Sequence, residues 1–185
     1  MTITIVNVPG YTNAGPQHWQ TYIEKKFKHT VRVQQQDWLS PVRQTWIDGL
    51  EQTLSQVSGK VVLVGHSCGA NTIVQWAQQH NNANVIGALL VAPADIDSAS
   101  AVKAIQVQRP QAIQALWFPS ILAYSDNDAH ARPEVSEHFA QCWGSELAFF
   151  KGADHFHTEA GFGDWPAGDA LIEQLAGQAL ARKTA

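Results

Sequence analysis

The stretch Val61 to His80, VVLVGHSCGANTIVQWAQQH, leaves a chain few ways to fold. A β-branched apolar run enters Gly65-His66-Ser67-Cys68-Gly69, and a helical pattern begins at once: Ala70, Ile73, Val74 and Ala77 fall at i, i+3, i+4 and i+7, leaving Gln75, Gln78 and Gln79 for an outer face. A strand that becomes a helix across so few residues must turn sharply, holding the residue at the apex in a strained conformation. Glycines on either side remove the side chains that would collide as strand and helix close together. In this context G-x-S-x-G forms a nucleophile elbow that presents Ser67, with the Cys68 N–H beside it as a donor for a developing oxyanion. The competing readings are an ordinary strand-to-helix turn and an anion site at a helix N-terminus.

The remaining pattern alternates. Ile3 to Val8 reads as a strand ending at Pro9-Gly10, and Trp19, Tyr22, Ile23 and Phe27 have helical spacing. Val31 to Val33 suggests a second strand. Ser40-Pro41 reads as a cap with proline at the first helical position, opening a helix with inner face Trp46, Ile47, Leu50 and Leu54 that Gly59 ends. Strands follow at Val61 to Val64, Val85 to Val91, Ile121 to Tyr124 and Glu146 to Phe150, and helices from Pro133 to about Cys142 and from Pro166 to about Ala181. Between Ala92 and Pro119 there are only helical hints, around Ser98 to Val107 and Gln111 to Trp117. Apolar strands with little alternation, separated by helices, predict an α/β fold: a three-layer sandwich around a mostly parallel sheet of about six strands. One domain over residues 1–185 is expected, a length that buries about 70% of the unfolded surface.

In such a sheet ligands bind beyond the carboxyl ends of the strands. Ser67 satisfies this, and a serine nucleophile needs a base and an orienting acid, in chain order Ser, Asp or Glu, His. His29, His80 and His138 fall on helix ends or surfaces, and His66 is fixed inside the elbow. His155 and His157 lie in KGADHFHTEAG, after the strand ending at Phe150; His155 is favoured as the base, with His157 beside it in the loop. The acid is Asp126 or Asp128 in YSDND, or Asp95 in VAPAD, and spacing leaves the three open. Proline again opens the last helix, so Trp165 before it can pack over the loop carrying His155.

Charge and cysteine usage exclude several classes. With 12 Lys plus Arg and a formal net charge of −4, the chain carries no nucleic-acid footprint. The two cysteines, Cys68 and Cys142, form no disulfide framework or metal-ligand spacing, which fits a reducing compartment. MTITIVNVPG lacks the marks of a signal peptide, and no apolar run approaches the ~20 residues of a membrane helix. A cytoplasmic protein with no membrane or nucleic-acid partner and no cofactor or metal is expected. The metal-dependent rival would use Asp126, Asp128, His130, His155 and His157, leaving Ser67 without a role.

VPGY with GPQHW, QQDWLSP, VGHSCGA, LVAPAD, YSDND, and GADHF followed by GFGDWPAG span nearly the whole chain. Together they resemble the small α/β-hydrolase-fold serine hydrolases grouped with retinoblastoma-binding protein nine and the bacterial YdeN-type proteins. The resemblance implies a compact hydrolase fold without a large lid and a triad of Ser67, Asp128 and His155. Asp128 is matched through the family's S-x-D-D-P pattern, from which this chain departs at Asn127 and Ala129, so Asp126 and Asp95 remain alternatives. It also implies a second oxyanion donor at the Tyr11 N–H, and recurrent His18-Trp19 and Asp37-Trp38 positions; His18, Trp19, Trp38, His157 and Trp165 are candidates to line or back the substrate pocket. The L-x-C-x-E motif of retinoblastoma-type proteins does not occur, and that partner is not expected. The implied activity is serine-dependent, carboxylesterase-like cleavage of an ester, thioester or amide of a small molecule; a non-catalytic binding or scaffold protein on the same fold is the alternative.

Overall fold

The computed structural model describes residues 2–184. Six strands, β1 (Ile3–Val8), β2 (Thr30–Arg32), β3 (Lys60–His66), β4 (Val85–Val91), β5 (Ser120–Ser125) and β6 (Glu146–Phe150), form one sheet in the order β2-β1-β3-β4-β5-β6. Every pairing is parallel. Among the described residues four α-helices lie between strands, α1 (Trp19–Lys26), α2 (Arg43–Ser55), α3 (Cys68–Ala77) and α4 (Pro133–Trp143), and α5 (Pro166–Ala176) follows β6.

Period-2 alternation on the strands sorts the core into two layers. On β3, Val61 and Leu63 pack with α2, α3 and α4, while Val62 and Val64 face α1 and α5. Fully burying each such side chain contributes about 1.5–3 kcal/mol, so both faces of the central strands anchor the sheet. Among the described residues no helix is long and apolar enough to cross a membrane.

The chain leaves β1 for β2 on one side and returns to place β3 on the other. The order therefore reverses between β1 and β3, and a crevice opens beyond their carboxyl ends, where parallel α/β sheets bind ligands. The segments after both strands, Pro9–Tyr11 and His66–Cys68, meet there.

Several expectations need correction. Ser40 does not cap α2: the helix starts at Arg43, its cap residue Val42 makes no side-chain bond, and Ser40 accepts the Val42 N–H in a tight turn. The start is set by Trp46, which is buried and donates Nε1–H to the Asp37 carbonyl at 3.1 Å. Gly59 does not end α2, which stops at Ser55; Gly59 (φ 84°) instead precedes β3, where a Cβ would come within 2.8 Å of the Thr2 carbonyl oxygen.

Gln75 is not on an outer face. It is fully buried and donates to the Gln108 carbonyl at 3.0 Å, because the segment between β4 and β5 lies over α3. That segment holds a single 3-10 helix, Lys103–Gln108, and residues 111–117 are irregular. Arg109 organises it, donating to the Ile96 and Ser98 carbonyls. The last helix stops at Ala176, five residues short of expectation, because Gly177 (φ 65°) takes a left-handed cap. The chain then returns to α1, where Arg182 bridges to Phe27.

Candidate functional site

Ser67 sits at the junction of β3 and α3 with φ 53° and ψ −122°, a conformation that costs an ordinary residue about 1–3 kcal/mol. The surroundings over-determine it. Its N–H donates to the Val91 carbonyl at 2.9 Å and its carbonyl accepts the Ala70 N–H at 3.0 Å. A Cβ on Gly69 would overlap the Val8 carbonyl oxygen, and one on Gly65 would meet the Ala70 Cα at 2.7 Å. Gly10 is equally confined: a Cβ there would lie 3.0 Å from that of Ser67 and 2.9 Å from the His66 carbonyl oxygen. Bare backbone at Gly10 therefore brings the Tyr11 segment against the elbow.

His155 occupies the loop after β6 and is buried to 7% exposure. Its Nδ1 lies 2.9 and 3.0 Å from the two carboxylate oxygens of Asp128. A carboxylate only accepts, so Nδ1 carries the proton and Nε2 presents a lone pair. Asp128 is itself oriented by the His130 N–H at 2.7 Å.

The rest of the YSDND loop grips the loop that carries His155. Ser125 Oγ accepts the Ala153 N–H at 2.9 Å, Asp126 Oδ1 that of Gly152 at 2.6 Å, and Asn127 Oδ1 that of Asp154 at 2.8 Å. The other two acid candidates thus have different partners, Asp126 on Gly152 and Asp95 on the Ser98 N–H. These clamping roles of Ser125 and Asn127 escaped the sequence reading, although consecutive short polar side chains after a strand are the signal for such side-chain-to-backbone bonds.

From the other side, Trp19 Nε1–H donates to the Phe156 carbonyl at 3.0 Å and Trp165 packs edge-on against Trp19 and Phe150. Both tryptophans are buried and support the loop from behind. Trp38 stacks edge-on against Trp46 in a cluster that also holds Cys68, Ile105 and Tyr11.

A cavity of about 400 Å³ opens at this point, lined by Ser67, His155, Tyr11, His18, His66 and His157 among others. Among the described residues no hydrogen bond joins Ser67 Oγ to the His155 ring; in ligand-free sites such bonds are often long and tighten with substrate. Burial pushes the Cys68 thiol up to about 11, partly offset by hydrogen bonds from the Tyr11 backbone and the Ser67 side chain, so it stays protonated at neutral pH. His18 is lowered to about 4, chiefly by burial and then by Arg32, and burial likewise lowers His66 far below its ordinary value. Burial lowers His130 as well, although Asp128 and Asp154 oppose the shift. Among the described residues no three His, Cys, Asp or Glu side chains gather in a group that could hold a metal ion.

The pattern of the serine hydrolase family matches residues 5–174. The chain belongs to the serine hydrolase family. Its fold is similar to that of a protein from Pectobacterium atrosepticum described as a YdeN-like hydrolase, with 30% identity, a TM-score of 0.81, and coverage of 96% of this chain and 91% of that one. It is also similar to the ydeN gene product of Bacillus subtilis (17% identity, TM-score 0.77, covering 96% and 100%) and to the type II thioesterase BorB of the borrelidin cluster (16%, 0.67, 99% and 94%). A search of curated protein sequences finds no match. This serine hydrolase is of the YdeN type, on a compact α/β-hydrolase fold.

Proposed function

We propose that this serine hydrolase cleaves a small-molecule carboxylic ester, or a related thioester or amide, with Ser67 as nucleophile, His155 as base and Asp128 as orienting acid. One observation carries the reading: Asp128 holds the His155 ring by both oxygens, while Ser67 stands at a strained elbow on the same cavity. His155 Nε2 takes the Ser67 proton as Oγ attacks the carbonyl carbon, and the N–H groups of Cys68 and Tyr11 receive the oxyanion. His155 returns the proton to the leaving atom. Water then enters, loses a proton to His155, and releases the acyl group from Ser67. Asp128 keeps the ring in the required tautomer and stabilises the imidazolium. Both cysteines are free, which supports a reducing, cytoplasmic setting.

Intact-mass analysis after exposure to a fluorophosphonate tests the reading, with Ser67→Ala alongside. The expected result is one adduct that maps to Ser67 and disappears in the variant. A folded wild-type protein that takes up no probe would overturn the mechanism in favour of a binding or scaffold role.

A further inference from the structure

Of the four histidines that line the cavity outside the proposed mechanism, His18, His66, His130 and His157, only His18 and His66 are buried. The ring centroid of His66 lies 5.0 Å from that of His155, and that of His18 lies 4.9 Å from that of His66. Both side chains are 93% buried, at 7% exposure each, and both line the cavity. The fold fixes one nitrogen on each ring. His18 is the N-cap of α1, and its Nδ1 accepts the Gln20 N–H at 3.3 Å, so the ring proton is on Nε2. His66 Nε2 stands 2.7 Å from the His155 carbonyl oxygen, which can only accept, so His66 Nδ1 is a bare lone pair. Among the described residues neither His18 Nε2 nor His66 Nδ1 has a hydrogen-bond partner, and both residues line the cavity.

We infer that His18 and His66 form a donor and acceptor pair that binds the leaving group of the substrate, and that this leaving group is uncharged and polar, carrying a hydroxyl or carboxamide close to the scissile bond. The inference rests on the serine hydrolase mechanism proposed above. In that mechanism the leaving atom must face His155 Nε2 to receive its proton, and the His66 ring lies 5.0 Å from that of His155 with the His18 ring beyond it on the same cavity. Ile105, which lines the cavity beside Val102, belongs to the cluster around Cys68, on the oxyanion side, where the acyl group would lie. A hydroxyl accepts from His18 Nε2–H and donates to His66 Nδ1 through one atom; a carboxamide does so through two.

Charge points the same way. No Lys or Arg lines the cavity directly; the nearest cation, Arg32, acts on His18 from behind the lining and is already engaged by Glu24, Asn13 and the Ala14 carbonyl, and Glu159 at the rim carries the one lining carboxylate, so an anionic leaving group would find no free cation. The depressed basicity of both histidines keeps the pair neutral at working pH. A buried pair of this kind discriminates because a substrate lacking the polar group leaves both nitrogens desolvated and unpaired.

The test compares 2-hydroxyethyl butyrate with propyl butyrate, which differ by a hydroxyl in place of a methyl, in wild type and in His18→Asn. Asparagine retains an N-cap acceptor for the Gln20 N–H, so α1 keeps its start while the ring donor is lost. Wild type should favour the hydroxyl ester by at least about tenfold in kcat/KM, the size expected of one neutral hydrogen bond, and the ratio should fall severalfold in the variant, where only the His66 acceptor remains. A helix cap acting only on stability would lower both rates together and keep the ratio. Fluorophosphonate labelling separates the two levels of failure. Labelled wild-type protein with no preference for the hydroxyl ester, or a preference that survives His18→Asn undiminished, overturns the subsite alone; unlabelled protein overturns the hydrolase mechanism beneath it.

Discussion

Replacing Ser67 by glycine should stabilise the fold while abolishing any serine chemistry. At φ 53° and ψ −122° the residue is held where a Cβ is unfavourable, at about 1–3 kcal/mol. Glycine relieves this strain but frees the unfolded chain, which costs about 0.4–1 kcal/mol. Alanine is the control, since it removes the same hydroxyl yet retains the Cβ. Subtracting the two terms leaves Ser67→Gly more stable than Ser67→Ala by about 0–2.6 kcal/mol, with a central value of about 1 kcal/mol. For a chain of this size the central value is a melting-temperature difference of about 2–4 °C, measurable by calorimetry or urea denaturation. A glycine variant less stable than the alanine variant would show that the elbow holds no strain and that the physical account of the flanking glycines is wrong.

Gly69→Ala should lose at least about 3 kcal/mol or fail to fold, because its Cβ meets the Val8 and Pro9 carbonyls, which are backbone and cannot swing aside; soluble yield and a denaturation midpoint decide it. Asp128→Asn should retain the fold and lose about 10³–10⁴ in kcat on any ester that is cleaved, since the amide can no longer hold the His155 tautomer, whereas Asp126→Asn should lose far less. His18 and His66 are less basic in the fold than in the unfolded chain, so the unfolded state binds more protons below pH 6.5. Their contribution to stability is present above that pH and is lost as pH falls from 6.5 through the His18 value of about 4; His18→Asn should flatten part of this slope in urea titrations.

The comparison of sequence with structure turns on range. The strands Ile3–Val8, Val85–Val91 and Glu146–Phe150 were legible to the residue, because β-branched apolar runs end at turn-forming residues and need no partner to be read. The elbow was legible for the same reason: strand, G-H-S-C-G and helix face are contiguous. The start of α2 was not, since it follows from Trp46 reaching the Asp37 carbonyl and not from the caps at Ser40-Pro41. Nor was the burial of Gln75, which depends on a segment more than thirty positions away covering a helix whose own pattern calls that position polar.

The candidate site divides in the same way. Sequence alone supplied the residue types and their places after strands, hence Ser67, the choice among Asp95, Asp126 and Asp128, and a loop holding His155 and His157. Only the tertiary structure put both Asp128 oxygens on the His155 ring, assigned Asp126 to a backbone N–H of the neighbouring loop, and turned Trp19 and Trp165 into supports behind that loop. It also decided the tautomers of His18 and His66. A hydrogen bond between loops has no period along the chain, so these pairings exist only once six parallel strands bring their carboxyl ends to one edge.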